Sequence, residues 1–148
     1  MKTNLSGTQI IPCRRVVNDR GFLQEVCRSD EEGFFQIGQA YLTQTKQGVI
    51  KAWYLHREQW DSFFTLQGNM KLGLCDDRPS SPTYRIVESH EFSSEEPHLI
   101  RIPPGVWHGF QAVGQDLLLL HMNSHPFQFH DTDEIRKDSY TSDIPFAW

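Results

Sequence analysis

Two stretches of this 148-residue chain hold side chains whose types and spacing suit proton transfer. The first runs Gly48-Val49-Ile50-Lys51-Ala52-Trp53-Tyr54-Leu55-His56. Alternation along a strand puts Ile50, Ala52, Tyr54 and His56 on one face, so a polar pair ends an apolar row where a barrel mouth would begin. The second stretch, Ile102-Pro103-Pro104-Gly105-Val106-Trp107-His108, places a rigid proline turn before a histidine and so fixes its imidazole. Imidazole titrates near neutral pH, which makes His56 and His108 candidate acid–base groups with the Tyr54 phenol beside them. His121 and His125 follow a buried run and suit either the site or the barrel exit, whereas His90, His98 and His130 read as surface residues.

The elements that must position these groups read as strands. No window of a dozen residues sustains a 3.6-residue apolar period, while two-residue alternation and short apolar runs recur from Gly33 onward. Expected strands are Phe35 to Thr43, Gly48 to Leu55, Ser62 to Leu66, Met70 to Cys75, Thr83 to Val87, His98 to Ile102 and Asp116 to Met122. Gln67-Gly68-Asn69 is expected to turn a hairpin, because Gly and Asn tolerate positive φ. The two prolines of Asp77-Arg78-Pro79-Ser80-Ser81-Pro82 mark a loop. One short helical turn is expected around Thr132 to Lys137, where acidic residues precede basic ones as the helix dipole prefers. The first ~20 residues are expected to form an arm.

Composition bounds the function. With 38% hydrophobic residues, 10 Phe, 4 Trp and 4 Tyr, the chain can build a packed core, and its length suits one domain over residues 1–148. Fourteen Lys and Arg against 19 Asp and Glu give a net charge of -5, which argues against a nucleic-acid partner. The longest apolar run, Leu117 to Leu120, is too short to cross a bilayer, and only Lys2 precedes a chain start without an apolar stretch. The expectation is a cytoplasmic protein without membrane association. Cys13, Cys27 and Cys75 are odd in number and widely spaced, so reduced thiols are expected rather than a disulfide framework.

Gly48, Tyr54-x-His56, Asp61 and Gly68, then Pro103-x-Gly105 and His108, resemble the two motifs of the cupins, small jelly-roll barrels. Within that fold the chain resembles the dTDP-4-dehydrorhamnose 3,5-epimerase family from about Asp19 through Trp148. Asp19-Arg20-Gly21-Phe22 with Glu25 is similar to the family's Arg-Gly segment, and Gly48-Val49-Ile50-Lys51 to its Gly-Val-Leu-Arg. Asp76-Asp77-Arg78 with Ser81-Pro82-Thr83, and the ending Asp143-Ile144-Pro145-Phe146-Ala147-Trp148, extend the match.

The resemblance implies an all-β cupin barrel, a homodimer, and epimerase or isomerase activity beside the ketone of a dTDP-4-keto-6-deoxyhexose in surface-polysaccharide synthesis. It implies contacts to a nucleotide-diphosphate sugar from Arg20, Phe22, Glu25, Gln39, Tyr41 and Lys51, with no cofactor and no metal. The proton-handling positions differ from the family's. Its base falls on Tyr54, the base's Asp helper on about Thr141, its Lys on about Asp61, and its acid Tyr within His125-Pro126-Phe127-Gln128-Phe129, which has no Tyr. His56 stands two residues from the base position, and the sugar ketoisomerases of the same fold use a His-x-His pair. The catalytic set is therefore expected to be His56, His108, Tyr54 and Asp76, the last orienting an imidazole. Two alternatives are a binding module without catalysis, and a metal-dependent enzyme using Tyr54, His56, Asp61 and His108. Trp53, Trp60 and Trp107 are available either to stack on a ligand or to pack in the core.

Overall fold

The structure is a computed structural model that describes residues 2–148. Ten strands follow one another: β1 (Gln9–Pro12), β2 (Arg15–Asn18), β3 (Gly21–Gln24), β4 (Gln39–Thr45), β5 (Ile50–His56), β6 (Asp61–Asp76), β7 (Val87–Ser93), β8 (His98–Ile102), β9 (Val106–Asn123) and β10 (Glu134–Arg136). The all-β expectation holds, with no helix among the described residues and so none long and apolar enough to cross a membrane. Eight strands form one antiparallel sheet in the order β1-β8-β6-β9-β5-β10, with β4 added on β9 and β7 on β6. The hairpin of β2 and β3 forms a separate two-stranded sheet.

Two long strands make the barrel. β6 and β9 pair from Phe63↔His121 to Asp76↔Val106, each long enough to serve both faces of the roll. The expected hairpin at Gln67-Gly68-Asn69 is instead an irregularity within one continuous strand, with register shifts between Thr65 and Asn69. Gly68 has φ +90°, and a Cβ there would lie 2.5 Å from Asp116 O. The signal for a turn was real, but a positive-φ glycine also serves a bulge, and pairing with β9 on both sides keeps the strand straight on.

Three other expectations give way to contacts made outside the segment itself. Residues 81–85 form turns, because the Asp76 carboxylate collects Ser81 Oγ and Thr83 Oγ1, both at 2.6 Å; the strand starts at Val87. The expected helical turn is β10, which pairs Glu134↔His56, Ile135↔Leu55 and Arg136↔Tyr54; burying Ile135 against Leu55 outweighs any dipole preference. Within the first 20 residues, Leu5 is 2% exposed in the core and β1 pairs with β8. Only the β2–β3 hairpin stands off.

The main core fills the roll with Phe63, Leu72, Leu74, Ile100, Ile102, Leu117 and Leu119. A second cluster lies on the opposite face of β5, where Trp53, Leu55 and Trp107 meet Ile144, Phe146 and Trp148 of the chain end. Trp53 and Trp107 therefore serve packing, and the C-terminal aromatics close over Trp53 instead of the cavity. The three cysteines are free thiols.

Candidate active site

Alternation on β5 sends Trp53 and Leu55 into the second core and leaves Tyr54 and His56 facing the roll's interior. The register shift between Lys51 and Tyr54 brings Lys51 to the same side despite its odd spacing. Opposite them β9 contributes His108, Phe110 and His121, β6 contributes Asp61 and Phe63, β4 contributes Tyr41 and Thr43, and β10 contributes Glu134 and Arg136. Together they line a cavity of about 280 Å³. Recesses of about 230 and 290 Å³ border it past His56 and Glu134, toward Gln39, His125 and Phe127.

At the cavity's inner end a single oxygen joins both imidazoles. Asp61 Oδ2 lies 2.9 Å from His108 Nε2 and 3.3 Å from His56 Nε2. The other oxygen, Oδ1, accepts a 2.7 Å hydrogen bond from Gln59 Nε2. Behind the rings, His108 Nδ1 donates to Val106 O at 3.1 Å, and Asp133 Oδ2 lies 3.5 Å from His56 Nδ1. The Asp133 carboxylate is itself fixed by the main-chain N–H groups of Arg57, Glu58 and Gln59. Glu134 Oε2 completes the surroundings 3.9 Å from His56 Nε2.

Electrostatics sort these groups by protonation state. Burial works to raise the Asp61 pKa, but the His108 hydrogen bond, the charges of His108 and His56, and the Gln59 amide hold it below the usual carboxylate range. Burial pushes the Tyr54 phenol up, against the nearby Arg136 guanidinium. It does the same for Tyr41, where the Asp61 charge adds to it. Both phenols therefore stay protonated at neutral pH. His121 is driven down to about 4 by burial, with a smaller contribution from the His108 charge, so its ring is neutral, stacked on Tyr41 at 4.6 Å and bonded to Thr43 Oγ1 at 2.8 Å. His56, Asp61 and His108 each offer a ligand atom within 4.8 Å of the others, a spacing able to hold a metal ion.

Among the residues singled out from sequence, the cavity gathers His56, His108, Tyr54, Tyr41 and Lys51. Gln39 borders the adjoining recess and binds Phe127 N at 2.8 Å. Asp76 is elsewhere: its fully buried carboxylate is taken by Arg78, Ser81 and Thr83, and no imidazole bonds to it. Arg20, Phe22 and Glu25 lie on and beside the β2–β3 hairpin, exposed and outside this chain's own cavity; Glu25 pairs with Arg28 at 3.1 Å. Sequence reasoning missed Gln59, Asp133, Glu134 and Arg136. The last two carried a signal, since Glu134-Ile135-Arg136 alternates polar, apolar, polar as a strand does.

Comparison with known proteins finds matches that span the chain. Residues 2–148 match the family model described as dTDP-4-dehydrorhamnose 3,5-epimerase. The chain is 33% identical over 136 residues to the probable low-salt glycan biosynthesis epimerase Agl13 of Haloferax volcanii, covering 90% of this chain and 87% of that one. It is 30% identical over 145 residues to the spore coat polysaccharide biosynthesis protein SpsL of Bacillus subtilis, covering 97% and 96%. A dTDP sugar isomerase from Desulfovibrio desulfuricans has a similar structure, with a TM-score of 0.90 at 27% identity over 97% of this chain and 92% of that one. The dTDP-4-dehydrorhamnose 3,5-epimerase of Bacillus anthracis, solved with TDP and PPi, has a TM-score of 0.90 at 17% identity over 100% and 88%, which shows the shared jelly-roll fold.

Proposed function

Because the chain belongs to the dTDP-4-dehydrorhamnose 3,5-epimerase family, we propose that its cavity takes a dTDP-linked 4-keto-6-deoxyhexose and inverts a carbon beside the ketone. That reaction moves a proton off the carbon, places negative charge on the ketone oxygen and returns a proton to the opposite face. It calls for an acceptor, a group that meets the oxyanion, and an acid. The observation that carries this reading is that one cavity holds His56, His108, Asp61 and Glu134 beside phenols kept protonated at Tyr54 and Tyr41. Lys51 and Arg136 line the same cavity and supply cations for a diphosphate; among the described residues Lys51 Nζ otherwise donates only to Gln44 O at 3.3 Å. The adjoining recesses provide room for the rest of a nucleotide sugar.

The proposal extends to a cytoplasmic homodimer in which the β2–β3 hairpin delivers Arg20, Phe22 and Glu25 to the partner's cavity. Val17 is 70% and Phe22 64% exposed on that hairpin, an apolar surface that a second chain would cover. Light scattering at twice the chain mass supports this assembly, and a monomer at micromolar concentration overturns it.

Incubation with dTDP-4-keto-6-deoxyglucose in deuterated water tests the chemistry. Deuterium at C3 or C5, read by NMR, is expected. A protein that binds the sugar without exchange is instead a binding module, a reading favoured by the loss of the family's base at Tyr54 and of its Lys at Asp61.

A further inference from the structure

We infer that Asn123 selects the substrate by accepting a hydrogen bond from a hydroxyl of its hexose, in the recess that opens off the cavity past Glu134. The inference rests on the proposed function for the class of ligand and adds the residue that reads it. Asn123 ends β9 and pairs with Gln39, the first residue of β4. Its main chain is fixed, since its carbonyl accepts from Gly38 N at 2.8 Å. The residue is only 5% exposed, yet its side-chain Oδ1 has no hydrogen-bond partner among the described residues. It lines a recess of about 290 Å³. An acceptor left empty at this depth destabilises the folded chain, and a donor on a ligand relieves it.

The rest of the lining says which donor. Gln59 turns Nε2 to Asp61 Oδ1 at 2.7 Å, which leaves its carbonyl oxygen as the end for a ligand. Glu134 adds a carboxylate, with Oε2 3.9 Å from His56 Nε2. Gln39 accepts from Phe127 N at 2.8 Å and so holds Phe127 at the recess, where the Phe129 ring stands perpendicular to it at 5.0 Å. Among the described residues Lys51 and Arg136 line the cavity, and no Lys or Arg lines this recess. Acceptors without such a cation repel phosphate oxygens, which Lys51 and Arg136 take instead. Thymine would meet them with two carbonyl oxygens against one N–H. A hexose fits both halves of the lining, because its rim carries hydroxyl donors and its face carries C–H bonds that pack on Phe127 and Phe129.

His56 and Glu134 line both spaces, so a hexose lying across them sets its reacting carbons against the cavity and one hydroxyl against Asn123. A sugar without that hydroxyl leaves Oδ1 buried and unpaired in the complex, which is the arrangement that discriminates most strongly between ligands.

Isothermal titration calorimetry of the full-length protein with dTDP and with dTDP-glucose, which keeps the hydroxyls at C2 and C3 and has no ketone to react, tests the assignment. The parent should bind dTDP-glucose about tenfold more tightly than dTDP. Asn123→Leu, of similar size, should remove that advantage and leave the affinity for dTDP where it was. Phe129→Ala, at a position 87% exposed and so no threat to the fold, should weaken dTDP-glucose about threefold without weakening dTDP. Equal weakening of both ligands in an Asn123→Leu protein that circular dichroism shows to be folded, or a sugar preference that survives either substitution, overturns the assignment. If Asn123→Leu does not fold, Phe129→Ala decides. Sugar preference without deuterium exchange keeps Asn123 in this role and removes the chemistry, whereas exchange without sugar preference does the reverse.

Discussion

The two ends of β6 carry two buried aspartates with opposite fates. Asp76, its last residue, is fully buried, and Arg78, Ser81 and Thr83 fill its oxygens. Those bonds hold its carboxyl far below the usual carboxylate range against the cost of burial. Asp61, the first residue, is also depressed, but its partners are two imidazoles and an amide at a cavity wall. A guanidinium cannot give up its proton, so the Asp76 knot has one state and organises a loop. Imidazoles change protonation and coordinate ions, so the Asp61 cluster has several states and is the end where chemistry can happen. Burial and a shifted pKa alone do not mark a functional carboxylate; the kind of partner and access to a cavity do.

The sharpest way to break this contrast is Asp76→Asn. Removing the charge leaves Arg78 beside a neutral amide and frees Ser81 and Thr83, and breaking a buried pair in this way costs roughly 3–5 kcal/mol. Urea unfolding at pH 7 should show a loss of that size, with deuterium exchange per folded molecule unchanged. A stable variant would mean that the knot is not what holds residues 77–86.

That same knot shows what sequence could and could not disclose. Tyr54-x-His56 and the proline turn before His108 were legible because both are local: strand alternation and a rigid turn decide where those side chains point. Asp76 was misplaced because its match in sequence says nothing about which hydroxyls will fold back onto it. Gly68 read equally well as turn or bulge until β9 was paired along the whole of β6. Glu134 and Arg136 were hidden because β10 is only three residues long and its strand character comes from pairing with β5. Exposure of Arg20 and Phe22 is likewise a property of the tertiary fold that motif spacing does not contain.

A second effect, somewhat smaller, belongs to the cavity end, where His121 pairs in register with Phe63 of β6. Burial, the His108 charge and Lys51 lower its pKa to about 4, with Asp61 opposing them. The unfolded chain protonates this ring near pH 6.5 while the folded one refuses the proton until about pH 4. Folding therefore holds its full stability from this residue above pH 6.5 and loses it as pH falls toward 4, a drop of about 3 kcal/mol. His121→Gln should flatten that part of the stability profile; an unchanged slope between pH 6.5 and 4.5 would place the acid sensitivity in other groups.

The smallest effect is the most telling one, because Asp61→Asn removes a carboxylate as deeply buried as Asp76. Its charged neighbours are imidazoles, which can stand neutral beside an amide, and Gln59 can still bond to the retained oxygen. The loss of stability should therefore be about 1 kcal/mol, since no fixed charge is stranded. Paired denaturation of Asp61→Asn and Asp76→Asn measures the difference directly. Equal losses would mean that Asp61, like Asp76, is held in a single state by its partners, and that the contrast between the two ends of β6 does not stand.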